Sequence, residues 1–182
     1  MQMNEILKTV SEEVGKVCSS VDEMELEALG TKIEEADSIY IYGNGRSGLV
    51  GRMTAMRLMH SGYRVYVIGE TTTPAFREGD LLLILSGSGK GHSVRTMTEK
   101  AKRLGGNTAL VTASDDKELR ETFDAVLSID ASTKHNDIPT IQPLGNQFDQ
   151  SMHLILDGLI IHLNKRAVKD DWEIKAKHFN LE

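Results

Sequence analysis

The stretch Leu81-Leu82-Leu83-Ile84-Leu85, followed at once by Ser86-Gly87-Ser88-Gly89-Lys90-Gly91-His92-Ser93, decides the fold. Five apolar residues without alternation predict a strand that is buried on both faces, as in parallel sheets. The next eight residues carry no large apolar side chain, and apolar residues then return at helical spacing from Val94 to Leu104. A loop rich in glycine and serine between a strand and a helix start favours a bound phosphate.

The same alternation of strand and helix runs along the rest of the chain. Two amphipathic helices are predicted first, and short strands are then predicted at 39–42, 64–68, 81–85, 108–112 and 125–129. Strands that alternate with helices form a parallel sheet with helices on both faces, so the predicted fold class is α/β. The stretch 130–145 is predicted to be a long loop of the kind that is often functional or mobile. After it we expect an apolar helix over Met152 to Leu163 and a short helix near Trp172.

Length and composition bound the class of protein. The 182 residues fit one domain, with N-terminal helices (1–37), an α/β core (38–166) and a C-terminal helix and tail (167–182). The net charge of −6 and the lack of basic blocks argue against a nucleic-acid partner, so an anion site must be built locally.

Cysteine content and targeting patterns narrow the class further. The single Cys18 excludes an internal disulfide, and no group of side chains has diagnostic metal-ligand spacing, so we expect no metal. The N-terminus lacks a signal-peptide pattern, and no apolar run approaches the ~20 residues that span a bilayer. We therefore expect a cytoplasmic protein with no membrane partner.

A second glycine loop follows the first predicted strand. Gly43-Asn44-Gly45-Arg46-Ser47-Gly48 has the spacing of dinucleotide-binding loops, which alone is a weak indication. Glu70 follows the next strand, where such sites place the acidic residue that binds ribose, so NAD stays open. Both loops leave the carboxyl ends of strands and should meet at one sheet edge. Two polar glycine loops there exceed what turns require, and the serines favour a phosphorylated sugar.

Four residues are candidates for proton transfer. Glu70 stands just past a strand end, where a carboxylate can act as a general base or lie on the surface as a helix cap. His60 closes an apolar helix, where a structural role is equally open. Asp149 is expected to cap a helix that begins near Gln150. His178 lies in the last five residues and matters only if the tail docks on another subunit.

These pieces occur together and in this order in one known family. The motifs are Gly43 to Gly48, Ala55 to Tyr63, Val67 to Pro74, Ser86 to Gly89, Pro143 to Phe148 and His178 to Leu181. They resemble the sugar isomerase (SIS) domain family, and most closely its 6-phospho-3-hexuloisomerase branch. The resemblance covers nearly the whole chain. It implies a three-layer αβα sandwich with a five-stranded, parallel, flavodoxin-like sheet.

The resemblance also implies an activity and a site. The branch interconverts D-arabino-3-hexulose 6-phosphate and D-fructose 6-phosphate through an enediol, in the ribulose monophosphate pathway of formaldehyde fixation. No cofactor is expected, and homotetramers with sites near subunit boundaries are implied. Glu70 matches the position of the base and ranks first, and His178 would act across a subunit boundary. The implied phosphate ligands are the hydroxyls of Ser47, Ser86 and Ser88 and the backbone N–H groups of Gly45 and Gly89.

Three departures from the family pattern bear on this site. Lys90-Gly91 stands where Glu-Thr is usual, so one hydroxyl is lost and one charge is reversed, which Lys90 or Ser93 would compensate. Asp149 replaces a glutamate, and Asn44 replaces a small residue. Arg46, in the first loop, can also pair with a phosphate.

Two other functions therefore stay open. One is isomerisation of a different sugar phosphate, such as arabinose 5-phosphate or sedoheptulose 7-phosphate. The other is a non-catalytic module that senses sugar phosphates. The first 37 residues are acidic and lack a helix-turn-helix pattern, which favours an enzyme.

Overall fold

A computed structural model describes residues 2–134 and 138–181 of the chain. The five strands found there are β1 (Ile39–Gly43), β2 (Val65–Val67), β3 (Leu81–Leu85), β4 (Asn107–Thr112) and β5 (Ala125–Ser128). The helices of the same residues are α1 (Met3–Ser19), α2 (Glu23–Glu35), α3 (Gly45–His60), α4 (His92–Arg103), α5 (Lys117–Thr122), α6 (Asn146–Arg166) and α7 (Asp171–Lys175). Within the described ranges, no helix is both long and apolar enough to cross a bilayer.

The strands form one parallel sheet in the order β2-β1-β3-β4-β5. This is the flavodoxin-like order, and the predicted α/β class and five-stranded parallel sheet are confirmed. The strand order reverses between β1 and β3, and a crevice opens at the carboxyl ends of such a pair. Gly43, the last residue of β1, lies opposite Leu85, the last residue of β3. The two glycine loops therefore leave the sheet side by side.

Helices cover both faces of the sheet, because successive residues of a strand point to opposite faces. Leu81, Leu83 and Leu85 pack against α1, α2, α3 and α6, whereas Leu82 and Ile84 pack against α4 and α5. All five residues of β3 are at most 2% exposed. A strand that is buried on both faces cannot alternate apolar and polar residues, which explains the unbroken apolar run.

A loop takes the place of a helix between β2 and β3, as the sequence predicts for residues 69–80. Phe76 of this loop packs edge-on against Tyr40 of β1, with ring centroids 5.1 Å apart. The Tyr40 hydroxyl donates to the carbonyl of Ala75 at 3.1 Å. These contacts pack the loop against β1, on the same face of the sheet as α4 and α5.

One predicted boundary is wrong, and it bears on the site. Helix α6 begins at Asn146, after Gly145 in the left-handed conformation, and not near Gln150. Asp149 therefore lies inside the first helical turn and does not cap the helix. The turn from Asn146 to Asp149 is polar except for Phe148, so apolar periodicity reveals the helix only from Met152 onward.

Candidate functional site

A polar cavity of about 410 Å³ opens where the loops after β1 and β3 meet the start of α6. Its volume falls within the range of about 300–1,000 Å³ that is typical of small-molecule sites. The lining residues come from the segments 42–47, 85–90, 133–134 and 144–149, together with Val94. The cavity thus occupies the crevice where the strand order reverses.

The first loop turns directly into helix α3 because two glycines let the backbone pass close to itself. A Cβ atom on Gly48 would lie 2.5 Å from the carbonyl oxygen of Gly43, so a larger residue would push the helix away from β1. Gly45, Arg46 and Ser47, at the start of this 16-residue helix, line the cavity. The unpaired N–H groups and the positive dipole end of α3 therefore favour an anion there.

Asn44, one of the departures from the family pattern, precedes this helix. Its side-chain oxygen accepts a hydrogen bond from the Tyr42 hydroxyl at 3.1 Å, and both residues line the cavity. The larger side chain is thus held by a partner near the end of β1.

Hydrogen bonds within the second loop fix its shape. Ser88 Oγ donates to the carbonyl of Lys90 at 3.1 Å and accepts from its N–H at 3.2 Å. Ser86 and Ser88 line the cavity with Lys90. Gly89 has φ +62°, its N–H donates to the Ser86 carbonyl, and its α-carbon faces Leu119, so it supports the turn from behind. Ser93 is exposed, and it does not line the cavity.

Positive charge surrounds the cavity although the chain as a whole carries −6. Arg46, Lys90 and Lys134 all line it. Lys90 Nζ lies 2.7 Å from Asp116 Oδ2, and this hydrogen bond raises the pKa of Lys90 and lowers the pKa of Asp116. Arg46 Nε lies 3.5 Å from Asp149 Oδ2. The site is therefore suited to a small anion whose charge these side chains would meet.

Asp149 is the carboxylate that lines the cavity among the described residues. Asp149 is only 8% exposed, and its Oδ1 accepts a hydrogen bond from Ser47 Oγ at 2.9 Å. Burial raises the pKa of Asp149, although the bond from Ser47 and the charge of Arg46 lower it. A buried carboxylate with a raised pKa in a polar cleft has the properties of a general base.

The other three candidates for proton transfer lie outside this cavity of the single chain. Glu70 is on the surface, where it pairs with Arg52 of α3. His60 is at the far end of α3 from Gly45, about 22 Å away along the helix axis. Its ring stacks on His178, with centroids 5.3 Å apart. Burial lowers the pKa of His60, and His178 and Arg57 lower it further.

Sequence reasoning missed Lys134 as a residue of the site. It lines the cavity from the long loop between β5 and α6, next to Thr133. The length and low periodicity of 130–145 did indicate a functional loop, but nothing local distinguished Lys134 from a solvated lysine.

Comparisons with known proteins agree with this architecture. Residues 32–148 match the model of the SIS domain family. A 3-hexulose-6-phosphate isomerase of Mycobacterium gastri is 38% identical over 178 residues, which cover 97% of this chain and 89% of the relative. The protein of that name from Bacillus subtilis is 32% identical over 185 residues and is covered completely, as is this chain.

A solved structure is similar over almost its whole length. It is a protein of Methanococcus jannaschii for which a molecular function of 3-hexulose-6-phosphate isomerase was inferred. It superposes with a TM-score of 0.83 at 34% identity, and the match covers 98% of this chain and 99% of the other.

Proposed function

The chain belongs to the SIS domain family, and from that premise we propose that it is a 3-hexulose-6-phosphate isomerase. It would interconvert D-arabino-3-hexulose 6-phosphate and D-fructose 6-phosphate. The observation that carries the proposal is that one cavity joins serine- and cation-lined loops to a buried carboxylate. An isomerase of sugar phosphates needs both parts, an anchor for the phosphate and a base for the carbon chain.

The phosphate would bind between the two glycine loops. The hydroxyls of Ser86 and Ser88 would donate to its oxygens, that of Ser88 by turning away from the Lys90 carbonyl. The N–H groups at the start of α3 would donate as well, including that of Ser47, whose hydroxyl keeps its bond to Asp149. Arg46 and Lys90 would supply charge-assisted bonds, which are the stronger kind. An anchored phosphate holds the sugar carbons in one orientation, and such positioning lowers the barrier by several kcal/mol.

The reaction moves one proton between neighbouring carbons. We infer that Asp149 removes the proton from C2 of the 3-ketose, which gives a 2,3-enediol once O3 has been protonated. Asp149 then returns a proton to C3, and loss of the proton on O2 forms the carbonyl of the 2-ketose. Lys134 lines the same cavity and would stabilise negative charge that develops on the sugar oxygens.

The choice of Asp149 differs from the ranking by family position, in which Glu70 comes first. Asp149 is favoured because it alone of the four proton-transfer candidates lines the cavity of the chain. Glu70 and His178 would act in the reaction only if a neighbouring subunit brings them to the cavity.

The assembly and the setting are also proposals. Leu49, Met53, Met56 and Met59 form an apolar face of α3 and are 39–60% exposed. This face begins one turn beyond Arg46, so the homotetramer implied by the family would cover it and bring a second chain close to the cavity. The proposed reaction belongs to the ribulose monophosphate pathway of formaldehyde fixation. We place it in the cytoplasm, where charged sugar phosphates are retained.

The test is turnover of D-arabino-3-hexulose 6-phosphate by the purified protein without added metal. Fructose 6-phosphate is converted by coupling enzymes to a reaction that produces NADPH, whose absorbance is followed. We expect turnover of this substrate and none of arabinose 5-phosphate or sedoheptulose 7-phosphate. We also expect Ser88→Ala to raise KM about tenfold, because a bond to a charged phosphate is lost. Turnover of another sugar phosphate alone would contradict the proposed substrate. No turnover, while fructose 6-phosphate still raises Tm, would indicate a sensing module.

A further inference from the structure

A carboxylate of helix α1 contacts the loop whose end forms one wall of the cavity. Glu13 Oε2 accepts hydrogen bonds from Thr140 Oγ1 at 2.5 Å and from Gln142 Nε2 at 2.8 Å. Glu13 Oε1 accepts from the N–H of Ile141 at 3.1 Å. We call these three bonds the Glu13 contact. Gln142 is only 3% exposed, so the bond from its amide is sheltered from water.

The three donors keep Glu13 ionised. Burial alone would raise the pKa of Glu13, but the bonds from Thr140, Gln142 and Ile141 together hold it below the ordinary value. At neutral pH each donor therefore meets a full negative charge, and charge-assisted hydrogen bonds of this kind are about twice as strong as neutral ones. The Glu13 contact is built for a carboxylate, because all three partners donate.

The Glu13 contact restrains the turn that reaches the cavity. Only Pro143, Leu144 and Gly145 connect Gln142 to the start of α6, and Leu144 and Gly145 line the cavity. Leu144 has φ +53°, a left-handed conformation that a non-glycine residue keeps only when its surroundings enforce it. Because Glu13 holds one end of this turn and α6 the other, Leu144 cannot relax.

The turn also packs against an earlier part of the loop between β5 and α6. A Cβ atom on Gly145 would lie 3.5 Å from Thr133 Cα and 3.6 Å from the backbone nitrogen of Lys134. Both of these residues line the cavity. A shift of the turn would therefore displace Thr133 and Lys134, and with them the wall of the cavity that would face the sugar.

We propose that Glu13 is a positioning residue of this site, which sets the wall formed by Leu144 and Gly145 against the sugar. The inference rests on the proposed function. Glu13 lies outside residues 32–148, so a helix that precedes the matched SIS domain takes part in shaping its cavity. Glu13 would affect substrate binding, since Leu144 and Gly145 carry no group that transfers a proton.

The test is a reversal of the hydrogen-bond polarity. In Glu13→Gln an amide NH₂ replaces one acceptor and meets donors, so we expect KM for 3-hexulose 6-phosphate to rise about tenfold with kcat within about threefold. In the double variant Glu13→Gln, Gln142→Glu the amide at position 13 can donate to the new carboxylate at 142, and KM should return to within about twofold of the wild type. Glu12→Gln is the matched control, because Glu12 pairs only with Lys8 on the exposed side of α1 and should keep the wild-type KM.

Three results would overturn the inference. One is a wild-type KM in Glu13→Gln, even if its Tm is lower, since that is the outcome for a purely structural carboxylate. The second is a double variant no better than Glu13→Gln, and the third is an equal rise of KM in Glu12→Gln. If the wild type binds fructose 6-phosphate but has no turnover, the proposed function fails separately. The same comparison is then made with the Kd for fructose 6-phosphate from calorimetry, with the same expected order of variants.

Discussion

Asp149 combines two environments that oppose each other. Burial in the first turn of α6 favours the neutral acid, whereas Ser47 Oγ at 2.9 Å and Arg46 Nε at 3.5 Å favour the carboxylate. A base needs such a balance, because it must be ionised at the start of the reaction and still accept a proton.

Replacement of this carboxylate should abolish chemistry and spare binding. We expect Asp149→Asn to lower kcat by about 10³-fold, because general base catalysis contributes about 10²–10⁴-fold. The Kd for fructose 6-phosphate should change by less than about threefold, since the serines and cations remain. Asp157→Asn is the control, as Asp157 lies on the same helix but pairs with Arg57 outside the cavity. A kcat near that of the wild type in Asp149→Asn would contradict the assignment.

The same residue predicts a direction for the pH dependence. Asp149 acts as a base only when ionised, so kcat should fall as the pH drops through its pKa. Burial raises the pKa of Asp149, so this fall should begin at a higher pH than for an ordinary aspartate. Ser47→Ala removes a bond that favours the ionised form and should move the acid limb of the kcat profile to still higher pH. A limb that moves to lower pH in Ser47→Ala would be inconsistent with Asp149 as the base.

Lys90 is paired with a carboxylate of its own chain. Asp116 accepts its bond at 2.7 Å and also caps α5 by accepting from the N–H of Glu118 at 3.0 Å. Asp116→Asn keeps the cap but removes the charge that competes with a phosphate. We therefore expect a KM about twofold to fivefold lower in Asp116→Asn and about tenfold higher in Lys90→Met. Asp22→Asn, at the same cap position of α2, should leave KM unchanged. A higher KM in Asp116→Asn would contradict the competition.

At the scale of elements, a close steric contact lies behind the serine loop. A Cβ atom on Gly89 would lie 2.7 Å from Leu119 Cδ1, and the residue has φ +62°. We expect Gly89→Ala to lower the free energy of unfolding by about 1–3 kcal/mol, through overpacking and strain. Gly15→Ala is the control, because nothing lies within 4 Å of that position on α1, and it should stabilise by about 0.5–1 kcal/mol. Urea unfolding measures both, and an unchanged stability of Gly89→Ala would contradict the packing.

The elements that the sequence predicted well are those whose causes are local. The apolar run of β3, the cap of α2 by Asp22 and the glycines after α4 each lie within a few residues of what they determine. The start of α6 was missed because its first turn is polar. The pairing of Ser47 with Asp149 spans 102 residues, and the Glu13 contact spans 127 to 129. Such contacts depend on how the elements pack, which spacing along the chain does not reveal.

At the scale of the whole molecule, the chain separates two sets of candidate residues. The glycine loops, three cations and Asp149 meet at the carboxyl edge of the sheet. His60 and His178 stack at the opposite end of α3, and Glu70 pairs on the surface with Arg52, midway along that helix. The motifs shared with the family do not separate these two sets, because the order of residues along the chain does not show which of them lie close together in one subunit. We therefore propose that groups of one chain both bind the sugar phosphate and transfer the proton.

The most direct test of this account is the exchange of a sugar proton with solvent. Fructose 6-phosphate is incubated with the protein in D₂O, and the hydrogen on C3 is followed by NMR. We predict that deuterium appears at C3 with the wild-type protein and that the exchange falls by about 10³-fold with Asp149→Asn, as for kcat. Wild-type exchange in Asp149→Asn would contradict proton transfer through this carboxylate.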